Sequence, residues 1–124
     1  MIDWMKENIF VTEGRLNRLK YFKYTLLVSL IFGVLDVVLV WLTSKIIGST
    51  DSFLLLIMHF MTMLPMMFGN MMVSVRRCHD LNLSGGFVLL TIVPLVCVLF
   101  WIYLLLAKGT VGWNKYGADP LMLE

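Results

Sequence analysis

Arginine, histidine and aspartate are concentrated in two short stretches that flank long apolar segments. Arg15, Arg18 and Phe22 are spaced to share one face of a helix, and the Arg76-Arg77 pair ends an apolar run. Guanidinium groups bind phosphate oxygens bidentately, and a basic residue beside an anionic leaflet contributes about 1 kcal/mol. The pattern therefore predicts a site for an anionic lipid headgroup, another phosphate or a partner protein. Its candidate residues are Arg15, Arg18, Arg76, Arg77, His79 and Asp80.

The same residues also have a purely structural interpretation. Arginines next to membrane spans set the orientation of a chain in the bilayer. Asp80 would then pair with one arginine and hold the turn that follows. Ser84-Gly85-Gly86 fits a turn that caps and starts the next helix. Both interpretations stay open at this level.

Asp36, His59 and Asn70 are polar residues inside otherwise apolar segments. A charge at the centre of a span costs about 2.5–3.5 kcal/mol on insertion scales, so Asp36 should be neutral, paired or facing a wet interior. Counted from the outer ends of their helices, Asp36 lies about 12 Å deep and His59 about 9 Å deep. We expect the two side chains to meet, as a structural pair or as part of a proton or ion pathway.

Methionine is concentrated in one segment, since seven of the ten methionines lie within residues 58–72. Met63, Met67 and Met71 share a helix face, and soft thioethers could pass Cu(I) towards Cys78. The spacing resembles that of copper-transporter helices, but their Met-rich outer domain has no counterpart here. Flexible packing or lipid contact is the simpler interpretation, because methionine fills irregular gaps. We therefore predict no metal and no cofactor.

Composition excludes several function classes. Of the 124 residues, 60% are hydrophobic and 15% are charged, with a mean hydropathy of +0.87. A soluble domain carries roughly 25% charged residues, so the solvent of this chain is a bilayer. The net charge of +2 is too small to predict a nucleic-acid partner. The chain lacks a phosphate loop, a zinc-protease motif and a nucleophile elbow, so enzyme activity is not expected; an enzyme acting on lipid phosphates remains an alternative.

Three apolar segments are long enough to cross a hydrocarbon layer of about 30 Å, which takes about 20 helical residues. They are residues 24–44, 53–75 and 86–107. Short connections make successive helices antiparallel. We therefore predict one all-α membrane domain, residues 1–124, with three transmembrane helices in an antiparallel hairpin bundle. An amphipathic interfacial segment (1–23) precedes the spans and a turn-rich tail (108–124) follows, and Pro65 and Pro94 should bend their helices rather than end them.

The distribution of lysine and arginine predicts the orientation. With three spans, the N-terminal segment and the second loop together carry seven basic residues, and the first loop and the tail carry three. The positive-inside rule then places the N-terminus in the cytoplasm and the C-terminus outside.

Ser29 and Gly33 offer a small-residue face for packing within the chain or between copies.

Three motifs in order carry a family resemblance. They are Gly14-Arg15-x-x-Arg18-x-x-Tyr21-Phe22, Arg76-Arg77-x-His79-Asp80-x-x-x-Ser84-Gly85, and Gly109-x-x-Gly112-x-Asn114-x-Tyr116-Gly117-x-Asp119-Pro120. Together with the apolar spans between them, they resemble the family of small bacterial inner-membrane proteins known as domain of unknown function 805. The resemblance covers roughly residues 10–120 and implies a multi-pass protein of the bacterial inner membrane, without implying an activity.

The function predicted from these observations is that of a small, non-catalytic inner-membrane protein. Its cytoplasmic Arg/His/Asp site would bind the anionic headgroups of membrane lipids or a membrane protein partner, and the chain is also a candidate homo-oligomer. The alternative is a small transporter or ion-conducting subunit that uses Asp36 and His59, or the Met-rich second helix for Cu(I).

Overall fold

The computed structural model describes residues 2–47 and 52–122, and in these ranges the chain folds as helices without a strand. The α-helices are α1 (Ile2–Asn8), α2 (Arg18–Ile47), α3 (Ser52–Asp80) and α4 (Pro94–Leu106), and a 3₁₀ helix (Gly85–Ile92) lies between α3 and α4. The all-α membrane class is thus confirmed. Half of the predicted first loop, residues 48–51, lies outside the described residues.

Local signals determine where the long helices begin and end. Asn17 caps α2, because its Oδ1 accepts a hydrogen bond from the backbone N–H of Lys20 (2.8 Å). After α3, Asn82 adopts a left-handed backbone (φ 59°), and the N–H of Leu83 bonds the carbonyl of Cys78 (2.9 Å). This is a Schellman-type stop, a position where asparagine substitutes for glycine. Pro65 lies inside α3, which continues through it as predicted.

Helices α2 and α3 form an antiparallel pair. Tyr21 contacts Ser74 near the start of α2 and the end of α3, through hydroxyl groups 3.3 Å apart. At the other end Asp36 contacts His59, with 3.1 Å between Oδ2 and Nδ1. Among the described residues, α2 and α3 are the helices long and apolar enough to cross a membrane. In lipid, such helices associate through close packing and hydrogen bonds, because lipid tails are as apolar as leucine.

The core lies at one end of this pair, which we call the basic end because Arg15, Arg77 and Asp80 are located there. The buried hydrophobic residues of α2 and α3, such as Tyr21, Val28 and Val73, all belong to the halves nearest that end. Met5 and Ile9 bury their side chains there as well, so α1 packs onto the helix pair. Gly69 permits this approach, since a Cβ at Gly69 would lie 3.2 Å from Val28 and 3.7 Å from Ile9.

The predicted third helix, 86–107, is not one continuous helix. The 3₁₀ helix ends at Ile92, Val93 adopts an extended backbone (φ −88°, ψ 114°), and Pro94 starts α4 as its first residue. Pro94 therefore begins a helix instead of bending one, because its fixed φ and missing N–H suit the first turn. The Ser84 cap is present, since Gly86 N–H bonds Ser84 Oγ (3.4 Å).

The tail also differs from its expected position. With three spans it would lie at the opposite end of the bundle from Arg15. Instead, Arg15 donates hydrogen bonds to tail carbonyls, and the N–H of Thr110 bonds the carbonyl of Asp80 (2.8 Å). The tail is therefore part of the basic end. The first and third family motifs, which contain Arg15 and Gly112, meet there.

Candidate functional site

Arg15, Arg77 and Asp80 form a buried ion cluster, which we call the arginine clamp. Asp80 lies three residues after Arg77 in the last turn of α3, so the two side chains share a face and pair through Arg77 Nη1 and Asp80 Oδ2. Arg15 comes from the loop between α1 and α2, and its Nε and Nη2 lie 3.1 and 3.0 Å from Asp80 Oδ1. These side chains are 1–4% exposed. One carboxylate thus holds two guanidinium groups away from solvent.

The remaining donors of Arg77 bond backbone carbonyls. Nε donates to Leu104 O (2.8 Å) and Nη2 to Ala107 O (2.5 Å), while Nη1 also reaches Leu16 O (3.2 Å). The carbonyls of the last helical turn have no partner within the helix and carry a partial negative charge. Arg77 therefore caps the C-terminal end of α4. It also joins α4 to α3 and to the loop that carries Leu16.

The remaining donors of Arg15 bond the tail. Nη1 donates to Gly112 O (2.5 Å) and Gly117 O (3.2 Å), and Nη2 donates to Thr110 O. The clamp holds two positive charges and one negative charge. The second positive charge is balanced by the carbonyl dipoles of the tail, of α4 and of Leu16. A buried charge requires such partners, because an unpaired one is very costly.

Residues of the third motif shape the tail so that its carbonyls point at Arg15. Gly112 and Gly117 have positive φ (78° and 126°), which glycine adopts without strain. Asp119 accepts from Gly112 N–H and from Leu121 N–H, both at 3.0 Å. These two backbone bonds lower the pKa of the Asp119 carboxyl below its ordinary value of 3.8. Asn114 Nδ2 donates to His79 O (2.9 Å), which attaches the turn to the end of α3.

Glycine is required at position 109 because the backbone there lies against the Asp80 carboxylate of the clamp. A Cβ at this position would lie 2.8 Å from Asp80 Cγ and closer still to one of its carboxylate oxygens. Real Cβ atoms do not come so near, so a side chain here would displace the carboxylate. The sequence alone predicts this glycine as part of the turn-rich tail. The structure adds a steric reason that links it to Asp80.

The other predicted site residues surround the clamp. His79 stacks on Tyr116 with ring centroids 3.8 Å apart, and its Nδ1 lies 3.3 Å from Gly14 O. Arg76 Nη1 donates to Asn8 O (2.7 Å) and so holds the end of α1. Arg18 is exposed, and its contact with Leu106 O is long (3.3 Å). Of the four arginines, Arg18 has the guanidinium most open to an external ligand. Ligand binding by the six predicted site residues stays a prediction.

A cavity of about 270 Å³ opens beside the clamp. Arg18, Lys108 and the clamp residue Arg77 contribute its basic groups, and Asp80 and Asp119 contribute its acidic groups. The exposed apolar side chains of Leu19, Val111 and Leu121 line it as well. Lys108 is not among the predicted site residues, because three spans would put the tail at the opposite end of the bundle from Arg15. The signal for Lys108 in the sequence was a basic residue directly after an apolar segment.

Asp36 and His59 meet as predicted, near the end of the helix pair that is remote from the clamp. His59 Nδ1 lies 3.1 Å from Asp36 Oδ2, and Thr62 Oγ1 donates to Asp36 Oδ1 (2.5 Å). Thr62 was missed, although its spacing of three from His59 places it on the same helix face. The His59 side chain is 51% exposed, whereas Asp36 is 15% exposed. Asn70 lies apart from this triad and donates to Ser29 Oγ (3.5 Å).

The methionine stripe does not lead to an exposed thiol. Cys78 is fully buried in the core, next to the clamp. Within residues 2–47 and 52–122, His, Cys, Asp and Glu side chains form no group of three that could hold a metal ion. Transfer of Cu(I) stays a prediction.

Comparison with known proteins agrees with the family resemblance. The family described as Protein of unknown function (DUF805) matches residues 9–118. Inner membrane protein YhaI of Escherichia coli K12 is 30% identical over 108 residues, which cover 87% of this chain and 84% of YhaI. Inner membrane protein YhaH of the same strain is 30% identical over 126 residues, which cover 96% of this chain and 97% of YhaH. No solved structure matches the chain.

Proposed function

The chain belongs to the family described as Protein of unknown function (DUF805). We propose that it is an inner-membrane protein that binds an anionic lipid headgroup at its basic end. Both relatives are named as inner membrane proteins, which supports this location. The proposed orientation places the basic end in the cytoplasm, in accord with the positive-inside rule.

The cavity beside the clamp is the observation that carries the proposal. Its carboxylates are engaged within the protein, Asp80 by the clamp and Asp119 by backbone N–H groups. The side chains of Arg18 and Lys108 remain, together with exposed apolar side chains such as Leu19. A phospholipid is complementary to this combination, since its phosphate is anionic and its acyl chains are apolar. Arg18 would bind phosphate oxygens through its fork of donors, and Lys108 would act as a point charge.

Arg15 and Arg77 have a different role in this proposal. Their donors are used within the protein, by Asp80 and by backbone carbonyls. They would therefore support the site by holding α4 and the tail in place. Loss of either arginine is expected to reduce stability first and lipid binding only as a consequence.

Titration of the detergent-solubilised protein with short-chain phosphatidylglycerol, monitored by native mass spectrometry, tests the proposal. We expect binding to be stronger than that of short-chain phosphatidylcholine. The double substitution Arg18→Gln/Lys108→Gln should weaken binding about 30-fold, since each basic residue contributes about 1 kcal/mol. Glycerol phosphate tested alone distinguishes a free phosphate from a lipid, because a lipid site binds it much more weakly.

Lys45→Gln/Lys115→Gln is the matched control. It removes the same charge from two exposed lysines that do not line the cavity. Equal affinity for both lipids, or equal loss of affinity in both double variants, would contradict the proposal. Binding of a protein partner in place of lipid would appear as a co-purifying chain that the Arg18→Gln/Lys108→Gln variant loses.

A second candidate function is proton or ion conduction, and the triad of Asp36, His59 and Thr62 favours it. A paired carboxylate and imidazole at membrane depth is a default site hypothesis, because such groups are rare among lipid-facing residues. The half-exposed His59 ring offers an entry for a proton. Vesicles containing the protein and a pH-sensitive dye should then show proton flux that Asp36→Asn abolishes. Flux no greater than that of empty vesicles would remove this candidate.

A further inference from the structure

We propose that residues 85–106 enter the membrane and return on the same side, as a re-entrant hairpin, so that the chain crosses the bilayer twice and the tail shares the side of Arg15. This inference concerns topology, and it does not depend on lipid binding at the basic end.

The two ends of the hairpin lie beside the same turns of α3. At its start, a Cβ on Gly85 would lie 2.9 Å from Val75 and 3.3 Å from His79. At its end, the carbonyls of Leu104 and Ala107 accept hydrogen bonds from Arg77. A single helix over this stretch would separate its ends by about 30 Å at 1.5 Å per residue. The chain must therefore reverse direction between them.

The reversal occurs at Val93. The 3₁₀ helix before it has 8 residues and spans about 16 Å at 2.0 Å per residue, and α4 after it has 13 residues and spans about 20 Å. Each arm is shorter than the hydrocarbon layer of about 30 Å. Ile92 and Leu95 flank the reversal and are 70% and 77% exposed, as lipid-facing side chains would be. The hairpin thus reaches part of the way into the bilayer.

Backbone hydrogen bonding fits this placement. Backbone groups in lipid must find partners within the protein. At the tip, Val93 N–H bonds Leu90 O (3.3 Å) and Cys97 N–H bonds Val93 O (2.7 Å). At the base, Arg77 donates hydrogen bonds to carbonyls at the end of α4 that have no partner within the helix. The buried guanidinium therefore closes the hairpin at its base, on the side where it entered.

The distribution of charge supports the same topology. With two crossings, the tail lysines Lys108 and Lys115 lie on the side of the N-terminal segment and of Arg76-Arg77. Nine of the ten basic residues are then on one side and Lys45 is on the other. Three crossings would divide the same residues seven to three. The positive-inside rule is satisfied much better by the re-entrant arrangement, and it places both Arg15 and the tail in the cytoplasm.

Labelling of single added cysteines with a membrane-impermeant maleimide tests the topology in the full chain. Glu13→Cys reports the side of Arg15, Lys45→Cys reports the opposite end of α2, and Lys115→Cys reports the tail; all three positions are exposed. The unmodified protein gives the background from Cys78 and Cys97. Lys45→Cys should label in intact cells, and Glu13→Cys and Lys115→Cys should label only after permeabilisation.

The comparison between positions decides the result whatever the absolute orientation. If Lys115→Cys labels together with Glu13→Cys, the hairpin is re-entrant. If Lys115→Cys labels together with Lys45→Cys, residues 85–106 cross the membrane and the proposal is overturned. A C-terminal green fluorescent protein fusion, which fluoresces only in the cytoplasm, gives an independent reading. Loss of lipid binding in any variant would bear on the proposed function and leave this result unaffected.

Discussion

Substituting Asp80 by asparagine tests the charge balance of the arginine clamp. Asp80 is the acidic member of a cluster with Arg15 and Arg77, and all three side chains are almost fully buried. Asparagine keeps the shape and one acceptor oxygen but removes the negative charge. Two guanidinium groups would then share a buried site with only neutral partners.

The size of the effect follows from this geometry. Removing one partner of a buried ion pair costs about 3–5 kcal/mol, because an uncompensated charge is left behind. We expect Asp80→Asn to lower the free energy of unfolding by this amount. Adding Arg77→Gln should cost less in the Asp80→Asn background than in the unmodified protein, because it removes a charge that has lost its partner. Such non-additivity is the signature of residues that act in one network.

Reversible unfolding in mixed detergent, monitored by tryptophan fluorescence, measures these differences. Glu13→Gln is the matched control, because Glu13 is an exposed acid in the loop that carries Arg15. Exposed substitutions of this kind change stability by about 0.5 kcal/mol or less. The reasoning is refuted if Asp80→Asn is as stable as Glu13→Gln, or if the losses from Asp80→Asn and Arg77→Gln simply add.

Two further predictions concern the tail. Gly109→Ala should destabilise the protein by about 1–3 kcal/mol, the range for overpacking, because its Cβ would collide with Asp80. Gly33→Ala in α2, where a Cβ meets nothing within 4 Å, should be neutral or stabilising in the same unfolding assay; equal effects of the two would contradict the steric explanation. Since folding lowers the pKa of Asp119, its contribution to stability is complete above its ordinary pKa of 3.8 and is lost as the pH falls through the lower folded-state pKa. The protection factors of the tail amides, which correct for the slower intrinsic exchange at low pH, should accordingly fall on acidification. Asp119→Asn should show lower protection factors at neutral pH that acid does not reduce further; a variant with the unmodified profile would refute this.

Much of the fold could be predicted from the sequence, because the length of an apolar run and the period of a helix determine the two long helices. The same reasoning explains why Asp36 and His59 were expected to meet, since depth can be counted along each helix. Asn17 and Ser84 also act as caps, and their residue types favour that role. These features depend on local sequence and on distances along one helix.

The reversal at Val93 could not be predicted in that way. A run of 22 apolar residues has the same composition whether it crosses the membrane once or folds back on itself. The difference lies in contacts with distant residues, above all the bonds from Arg77 to the end of α4. Once the run was taken as a span, the tail was assigned to the far side, and the contact between Arg15 and Gly112 could not be anticipated.

The uneven position of the core makes the two ends of the helix pair unequal. At the basic end, α1, the 3₁₀ helix, α4 and the tail surround α2 and α3, while the hydrophobic core residues are confined to the halves of α2 and α3 nearest that end. With the two crossings proposed above, the cross-section would be larger in one leaflet than in the other. Such a protein would fit best where the leaflet around its wider end is expanded. Strongly curved vesicles would therefore favour molecules with the basic end in the outer leaflet. Bilayer curvature would in this way influence the direction of insertion.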